Sequence, residues 1–390
     1  MKLPQIFVNQ PAKSMHIILS ILVSSIALTG CDYFAKPKVD NTLTLDKIAS
    51  LLPNRGEDKK SWANDIFDIF NTLKIDRTPQ NICSVVAVID QESNFKADPP
   101  VPNLGQTSLK AMNEKLDEKL GTTLAGYFRT MLKNEPTPQN SFEKQILKVK
   151  TEQQLDQLYH QMFDYFSQKY YASKITNVSK IVGADVTEKI DPITTLGSMQ
   201  VSINYARDHQ RMNGSNEDLR RDLYSQYGGL YYGIHRLMLY QTNYADPIYR
   251  FADYNSGMYS SRNAAFQKML ADLTKQPIDM DGDLLSYSSN GQSQSEKALN
   301  LLAGQGRIAL TPSQIKSDLK KEKTQAFETT QVYQLVNSLY QQKTGKKPIN
   351  AIMPQVVISG AKLSRDYNTK WYADGVNKRY LSCLAKVKSQ

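Results

Sequence analysis

The chain has 390 residues, which is long enough for one large domain or two smaller ones with their own apolar cores. Hydrophobic residues make up 40% of it and charged residues 22%, a composition that excludes an intrinsically disordered protein. The formal net charge of +10 favours contact with anionic surfaces such as lipid headgroups or a carboxylate-bearing cell wall.

The first 30 residues have the organisation of an export signal. A positively charged start with Lys2 and Lys13 precedes an apolar run over Ile17–Leu28. Twelve helical residues rise about 18 Å, too little to cross a hydrocarbon layer of about 30 Å, so the run predicts a signal peptide rather than a membrane span. It ends in Leu28-Thr29-Gly30-Cys31, which resembles the lipobox of bacterial lipoproteins.

This resemblance implies cleavage before Cys31 and attachment of diacylglycerol, with acyl chains such as palmitate, to its thiol. We therefore expect a protein of the cell envelope that is lipid-anchored in a membrane and faces the periplasm, where nucleic acid is excluded as a partner. Asp32 resembles the inner-membrane retention signal of enteric bacteria, but that rule does not hold in every lineage. We keep both membranes open and favour the outer one.

Two further cysteines remain in the exported chain, Cys83 and Cys383. In an oxidising compartment we expect them to form a disulfide that ties the C-terminus back to the helix carrying Cys83. The alternative is two free, buried thiols. Residues 31–44 have little apolar patterning and predict a tether.

Helical spacing of apolar residues begins at Leu45 and continues to Leu73, with a break near Pro53. A second helix should start at Thr78-Pro79, a capping hydroxyl followed by proline at the first helical position. Its apolar stripe is formed by Ile82, Val85, Val86 and Ile89. Glu92 follows on the same side, so its carboxyl is expected to be partly buried at the helix end.

The rest of the chain also predicts a mainly α protein. Helical stripes fill residues 104–180, and further helices are expected within 194–207, 219–240 and 247–273. Only Val356-Val357-Ile358 indicates a strand. No internal repeat is present.

Four short motifs occur in the order found in lytic transglycosylases and goose-type lysozymes. Glu92-Ser93-Asn94-Phe95 resembles the element with that family's catalytic acid, and Thr194-Thr195-Leu196-Gly197-Ser198-Met199-Gln200-Val201 resembles its Gly-Leu-Met-Gln turn. Gly228-Gly229-Leu230-Tyr231-Tyr232 and Asp253-Tyr254-Asn255-Ser256-Gly257 resemble two later elements. About a hundred residues separate the first two motifs here, many more than in the family.

The resemblance implies a lysozyme-like helical domain over 45–285 with a large helical insertion at about 100–190, followed by a C-terminal extension over 286–390. It implies that Glu92 is the acid and then the base in cleavage of the β-1,4 bond between N-acetylmuramic acid and N-acetylglucosamine, giving a 1,6-anhydro product. A carboxyl on the apolar side of a helix end suits this role because burial raises its pKa. Residues expected at the sugar site are Ser93, Thr194, Gly197, Met199, Gln200, Tyr254 and Asn255.

The implied partner is the glycan strand of peptidoglycan, and the sequence does not identify protein partners. No cofactor is expected, and no metal site either, because His160, His209 and His235 form no His-x-x-x-His pair. The alternative is a non-catalytic peptidoglycan-binding or scaffolding lipoprotein whose insertion fills the groove.

Overall fold

The architecture was obtained as a computed structural model, which describes residues 42–54, 58–170, 193–287, 291–358 and 366–388. The predicted signal peptide, Cys31, most of the tether and the end of the insertion lie outside the described residues. None of the described helices combines the length and apolar character needed to cross a membrane.

Helices dominate the described chain, which confirms the mainly α class. The first half contains α1 (Leu45–Leu51), α2 (Lys59–Thr72), α3 (Pro79–Glu92), α4 (Leu104–Asn134), α5 (Phe142–Ile146) and α6 (Glu152–Tyr170). Helix α3 starts as expected, because the Thr78 side chain accepts a hydrogen bond from the Asn81 N–H and Pro79 occupies the first position. Gly121 has φ 72°, so α4 is two helical segments joined at a kink.

The second half begins with a short antiparallel pair, β1 (Thr195–Leu196) and β2 (Val201–Ser202), in which Leu196 faces Val201. The helices that follow are α7 (Ile203–Asp208), α8 (Asn216–Tyr224), α9 (Gln226–Met238), α10 (Ile248–Ser256), α11 (Ser260–Thr274), α12 (Gln294–Gly304), α13 (Pro312–Leu319) and α14 (Gln331–Thr344). A 3-10 turn covers Gln325–Thr329. The chain ends in β3 (Val357–Ile358), its antiparallel partner β4 (Tyr367–Asn368) and the helix α15 (Thr369–Lys388).

The described residues form one compact unit with two apolar clusters. The larger cluster joins α1–α6, α9, α10 and α15, whereas the smaller one joins α11–α14. The region set apart in the sequence as 286–390 therefore divides between them. Its helices α12 and α14 pack on α11, and α13 packs on α12 and α14, while α15 returns to pack against α3 and α10.

A disulfide joins Cys83 of α3 to Cys383 of α15 and closes a loop of 300 residues. Both cysteines are buried. The C-terminal helix is thus held covalently against the helix that ends in Glu92.

Candidate active site around Glu92

Glu92 lies where α3 ends abruptly. Asn94 and Phe95 adopt left-handed backbone conformations (φ 53° and 60°), which are uncommon for residues other than glycine. The Phe95 ring is buried and meets Trp62 edge to face, with centroids 5.3 Å apart. This anchored turn holds the last residue of α3 in place and ends the helix.

Glu92 is partly exposed as a residue, and its carboxyl is surrounded by groups from three other helices. The Tyr372 hydroxyl of α15 donates a hydrogen bond to its Oε1, and the charge of Arg236 on α9 acts on it. Tyr254 of α10 is also close enough for the two groups to affect each other's ionisation. Burial raises the pKa of Glu92 to about 7, even though the Tyr372 hydrogen bond and Arg236 both act to lower it. About half of such carboxyls are therefore protonated at neutral pH.

Arg236 and Tyr254 form one wall of this site. The guanidinium carbon of Arg236 lies 4.6 Å from the centroid of the Tyr254 ring, a cation–π contact. The Tyr254 hydroxyl donates a hydrogen bond of 2.7 Å to the carbonyl oxygen of Met199. Burial raises the pKa of Tyr254 well above its ordinary value, so its hydroxyl stays protonated and can donate.

The Gly-x-Met-Gln turn is fixed mainly by packing. Gly197 has φ 78°, and a Cβ there would lie 2.3 Å from the Leu223 carbonyl oxygen. The Met199 side chain is fully buried and contacts Gly233, where α9 has no Cβ. These two residues of the predicted sugar site therefore hold the turn against α8 and α9.

Gln200 connects the turn to the insertion. Its side-chain amide donates a hydrogen bond of 2.9 Å to the buried carboxylate of Glu152, the first residue of α6. Its amide oxygen accepts another, also 2.9 Å, from the Thr195 hydroxyl. Gln200 is thus bonded to Glu152 and Thr195, and the neighbouring Thr194 is exposed.

Asp253, which begins the motif containing Tyr254, has a structural role. Its buried carboxylate accepts hydrogen bonds from the N–H of Ser261 (2.6 Å) and of Tyr259 (3.1 Å), and from the hydroxyls of Ser260 (3.0 Å) and Tyr244 (2.7 Å). It therefore joins the end of α10 to the start of α11 and orients the residue that follows it.

The other two predicted residues lie beside the main group. Ser93 is buried, and its hydroxyl donates to the Ile89 carbonyl oxygen at 3.2 Å, which stabilises the end of α3. Asn255 is partly buried on α10, next to Tyr254. Of the predicted set, the structure brings together Glu92, Tyr254 and, through its carbonyl, Met199.

The sequence analysis missed Tyr372 and Arg236. Tyr372 precedes Cys383 by eleven residues, three helical turns, so the predicted disulfide places it on the face of its helix that meets α3. Glu92 follows Cys83 by nine residues, two and a half turns, which by ideal spacing is the opposite side of α3, so the disulfide alone does not predict this contact. No motif indicated Arg236.

These elements define a mainly helical protein in which a C-terminal helix is linked by a disulfide to the helix that ends in a half-buried glutamate. The chain belongs to the DUF1615 family, described as a protein of unknown function, whose model matches residues 55–386. It is similar to the uncharacterized protein YaiW of Escherichia coli (strain K12), with 30% identity over 372 residues that cover 93% of this chain and 96% of the relative. No solved structure matches the chain.

Substituting Gly233 with alanine tests whether Met199 is a packing residue. The new Cβ would lie 2.3 Å from the Met199 sulfur, so we expect Gly233→Ala to lower the free energy of unfolding by about 1–3 kcal/mol. Urea unfolding measures this change. Gly126→Ala is the matched control, since its Cβ meets nothing within 4 Å and should stabilise α4 by about 0.5–1 kcal/mol. Equal effects of the two substitutions would contradict the packing role.

The raised pKa of Glu92 should make stability depend on pH. Below pH 4.5 the Glu92 carboxyl is protonated in both the folded and the unfolded chain. Between pH 4.5 and about 7 the unfolded chain has lost this proton while the folded chain still holds it, so rising pH favours the unfolded chain. We therefore expect the free energy of unfolding to fall by up to about 3 kcal/mol across this window, relative to Glu92→Gln.

The measurement is urea unfolding of both proteins from pH 4 to pH 8. Glu217→Gln, at a side chain 86% exposed, is the control for loss of a carboxylate elsewhere. A constant difference between wild type and Glu92→Gln across the range would show that the Glu92 pKa is not raised.

Proposed function

We propose that the protein is a peptidoglycan lytic transglycosylase with Glu92 as its single acid and base. Glu92 donates its proton to the oxygen that links N-acetylmuramic acid to N-acetylglucosamine, and the bond from that oxygen to the anomeric carbon breaks. The carboxylate then takes the proton of the C6 hydroxyl as that oxygen bonds to the anomeric carbon. The products are a 1,6-anhydro end and a free N-acetylglucosamine end, and Glu92 is protonated again without consuming water.

The observation that carries this proposal is the state of the Glu92 carboxyl. A group that must first donate and then accept a proton works best with a pKa near the working pH, and burial raises the pKa of Glu92 to about 7. Glu92 is partly exposed as a residue, and the proposal requires the substrate to approach its carboxyl from that side. The positive charge of Arg236 favours the carboxylate formed after proton donation.

The order of motifs supports the same proposal. Glu92 and Tyr254 come from the two motifs that the family resemblance places at the reacting sugar, and they lie close together across α3 and α10. A lysozyme-like arrangement of the helices, and a periplasmic location through a lipid on Cys31, are parts of the proposal. The basic composition suits the anionic peptides and polymers of a cell wall.

Digestion of cell-wall sacculi tests the reaction. The full chain, purified in detergent, should release anhydro-muropeptides detected by mass spectrometry, and Glu92→Gln should lower the release at least about a hundredfold. The rate should decline as the pH rises above about 7, because the acid form of Glu92 is then lost. Glu217→Gln should behave like wild type.

Two other results would redirect the proposal. Reducing-end products would indicate a hydrolase, which needs a second carboxylate to activate water. Asp90 is ill placed for this because Arg379 holds it at 3.0 Å. Sacculi that bind the protein without any release would indicate the non-catalytic alternative.

One observation favours that alternative, a peptidoglycan-binding or scaffolding protein. Gly197 and Met199 serve packing, and the Gln200 side chain is bonded to Glu152 of the insertion and to Thr195. Residues that would contact sugar in the family thus have structural partners here.

A further inference from the structure

Four positions on one face of α15 meet the end of α3. Tyr372, Gly375, Arg379 and Cys383 are spaced by three or four residues and so share a face of the helix. Their partners on α3 are, in the same order, Glu92, Gln91, Asp90 and Cys83. The numbers fall along α3 as they rise along α15, so the helices run antiparallel.

Each contact has a distinct character. The Arg379 guanidinium pairs with Asp90 at 3.0 Å, and the disulfide joins Cys83 to Cys383. A Cβ at Gly375 would lie 3.2 Å from the Gln91 side-chain oxygen, so this glycine permits close approach. At the other end of the contact, the first residue of α15, Thr369, is buried and its hydroxyl shares a hydrogen bond of 2.5 Å with Ser256 of α10.

We infer that Tyr372 is a positioning residue for the acid Glu92, and that α15 with its disulfide is a required part of the active site. This inference rests on the proposed function. The Tyr372 hydroxyl donates to Oε1, so the transferable proton of Glu92 is carried by Oε2. Because Tyr372 is itself buried and held on a helix fixed at both ends, it fixes the direction in which that proton points.

Removing the hydroxyl alone separates positioning from packing. Tyr372→Phe keeps the ring but takes away a hydrogen bond that favours the carboxylate, leaving Arg236 and Tyr254 as the groups that face Glu92. The pKa of Glu92 should then rise by about half a unit or more. The pH at which cleavage of sacculi declines should move up equally, and kcat should fall about tenfold with KM nearly unchanged.

Tyr380→Phe is the matched control, because Tyr380 lies two turns further along the same helix and packs on Phe251 instead. It should leave the pH profile at the wild-type position. If Tyr372→Phe changes only stability, while the pH profile and kcat match those of Tyr380→Phe, the positioning role is wrong.

The disulfide has its own test. Cys383→Ser should move the pH profile in the same direction as Tyr372→Phe, and so should wild type treated with a thiol reductant. An unchanged profile with both would show that the bond is not needed to hold Tyr372.

The effect of Tyr372 on the Glu92 pKa can be measured even if the protein does not cleave peptidoglycan. The pKa of Glu92 can also be read from the pH dependence of unfolding, with and without Glu92→Gln, in the Tyr372→Phe background. An inactive protein whose Glu92 pKa still rises on Tyr372→Phe would refute the reaction and the catalytic part of the inference but keep the contact.

A second observation concerns Trp371, which precedes Tyr372 in the first turn of α15. The chain has two tryptophans; Trp62 is buried, whereas Trp371 is 44% exposed. The Trp371 ring lies 4.0 Å from the Tyr367 ring, measured between centroids. The exposed Trp371 ring and the partly exposed Tyr367 ring therefore form an aromatic surface beside the start of α15. Trp371 is next to Tyr372 in the helix, about 100° around its axis, so the surface lies on the side adjoining the one that meets Glu92.

We propose that Trp371 and Tyr367 form a stacking surface for a sugar ring of the glycan that Glu92 acts on. The apolar C–H face of a pyranose suits such a ring pair, because burying it removes exposed apolar area on both partners. This proposal concerns binding and does not require Glu92 to be active.

Tryptophan fluorescence reports on this surface directly. Titrating Glu92→Gln with N-acetylglucosamine oligomers should change the emission saturably, and Trp371→Phe should abolish the change while Trp62 still emits. Affinity measured by calorimetry should fall about tenfold in Trp371→Phe. Binding that leaves the Trp371 emission unchanged would exclude the surface, and so would no binding at all.

Discussion

The contact between α3 and α15 is the constraint on which the candidate site depends. Glu92 ends α3, and its carboxyl accepts a hydrogen bond from Tyr372 of α15, a residue 280 positions later. The disulfide and the Asp90–Arg379 pair fix the same two helices along their length. Any movement of α15 away from α3 would expose the carboxyl to water, and its pKa would then fall toward 4.5. Helix packing thus sets the protonation state of Glu92.

Asp253 and Glu92 both have a raised carboxyl pKa, but they differ in how many hydrogen bonds their oxygens accept. Burial raises the pKa of Asp253 as it does that of Glu92. Asp253, however, accepts hydrogen bonds from Tyr244, Tyr259, Ser260 and Ser261, so its lone pairs are taken by the protein. Glu92 accepts from Tyr372 at one oxygen and remains partly exposed. A carboxyl with an oxygen left for a ligand can exchange a proton with it, whereas a saturated one holds two helices together.

Local signals in the sequence predicted the parts of the site that lie within one element. The start of α3 followed from Thr78-Pro79, and the partial burial of Glu92 followed from the apolar stripe before it. The two cysteines predicted a link that the structure contains. The packing roles of Gly197 and Met199 could not be predicted from local sequence. They depend on the close approach of Leu223 to Gly197 and of Gly233 to Met199, which tertiary packing sets. Arg236 and Tyr372 likewise reach the site only through the arrangement of α9 and α15.

Helix α6, part of the segment predicted to be an insertion, is linked to the candidate site through a continuous series of contacts. Glu152 of α6 accepts a hydrogen bond from Gln200, and Asp156 of the same helix pairs with Arg220 of α8. One residue before Gln200, the Met199 carbonyl accepts from Tyr254, whose ring lies under Arg236 beside Glu92. Displacing α6 would therefore move the turn, and with it the acceptor that fixes Tyr254. Because the turn is short and its glycine is tightly packed, such a displacement has little room to relax locally and would shift the Tyr254 ring beside Glu92.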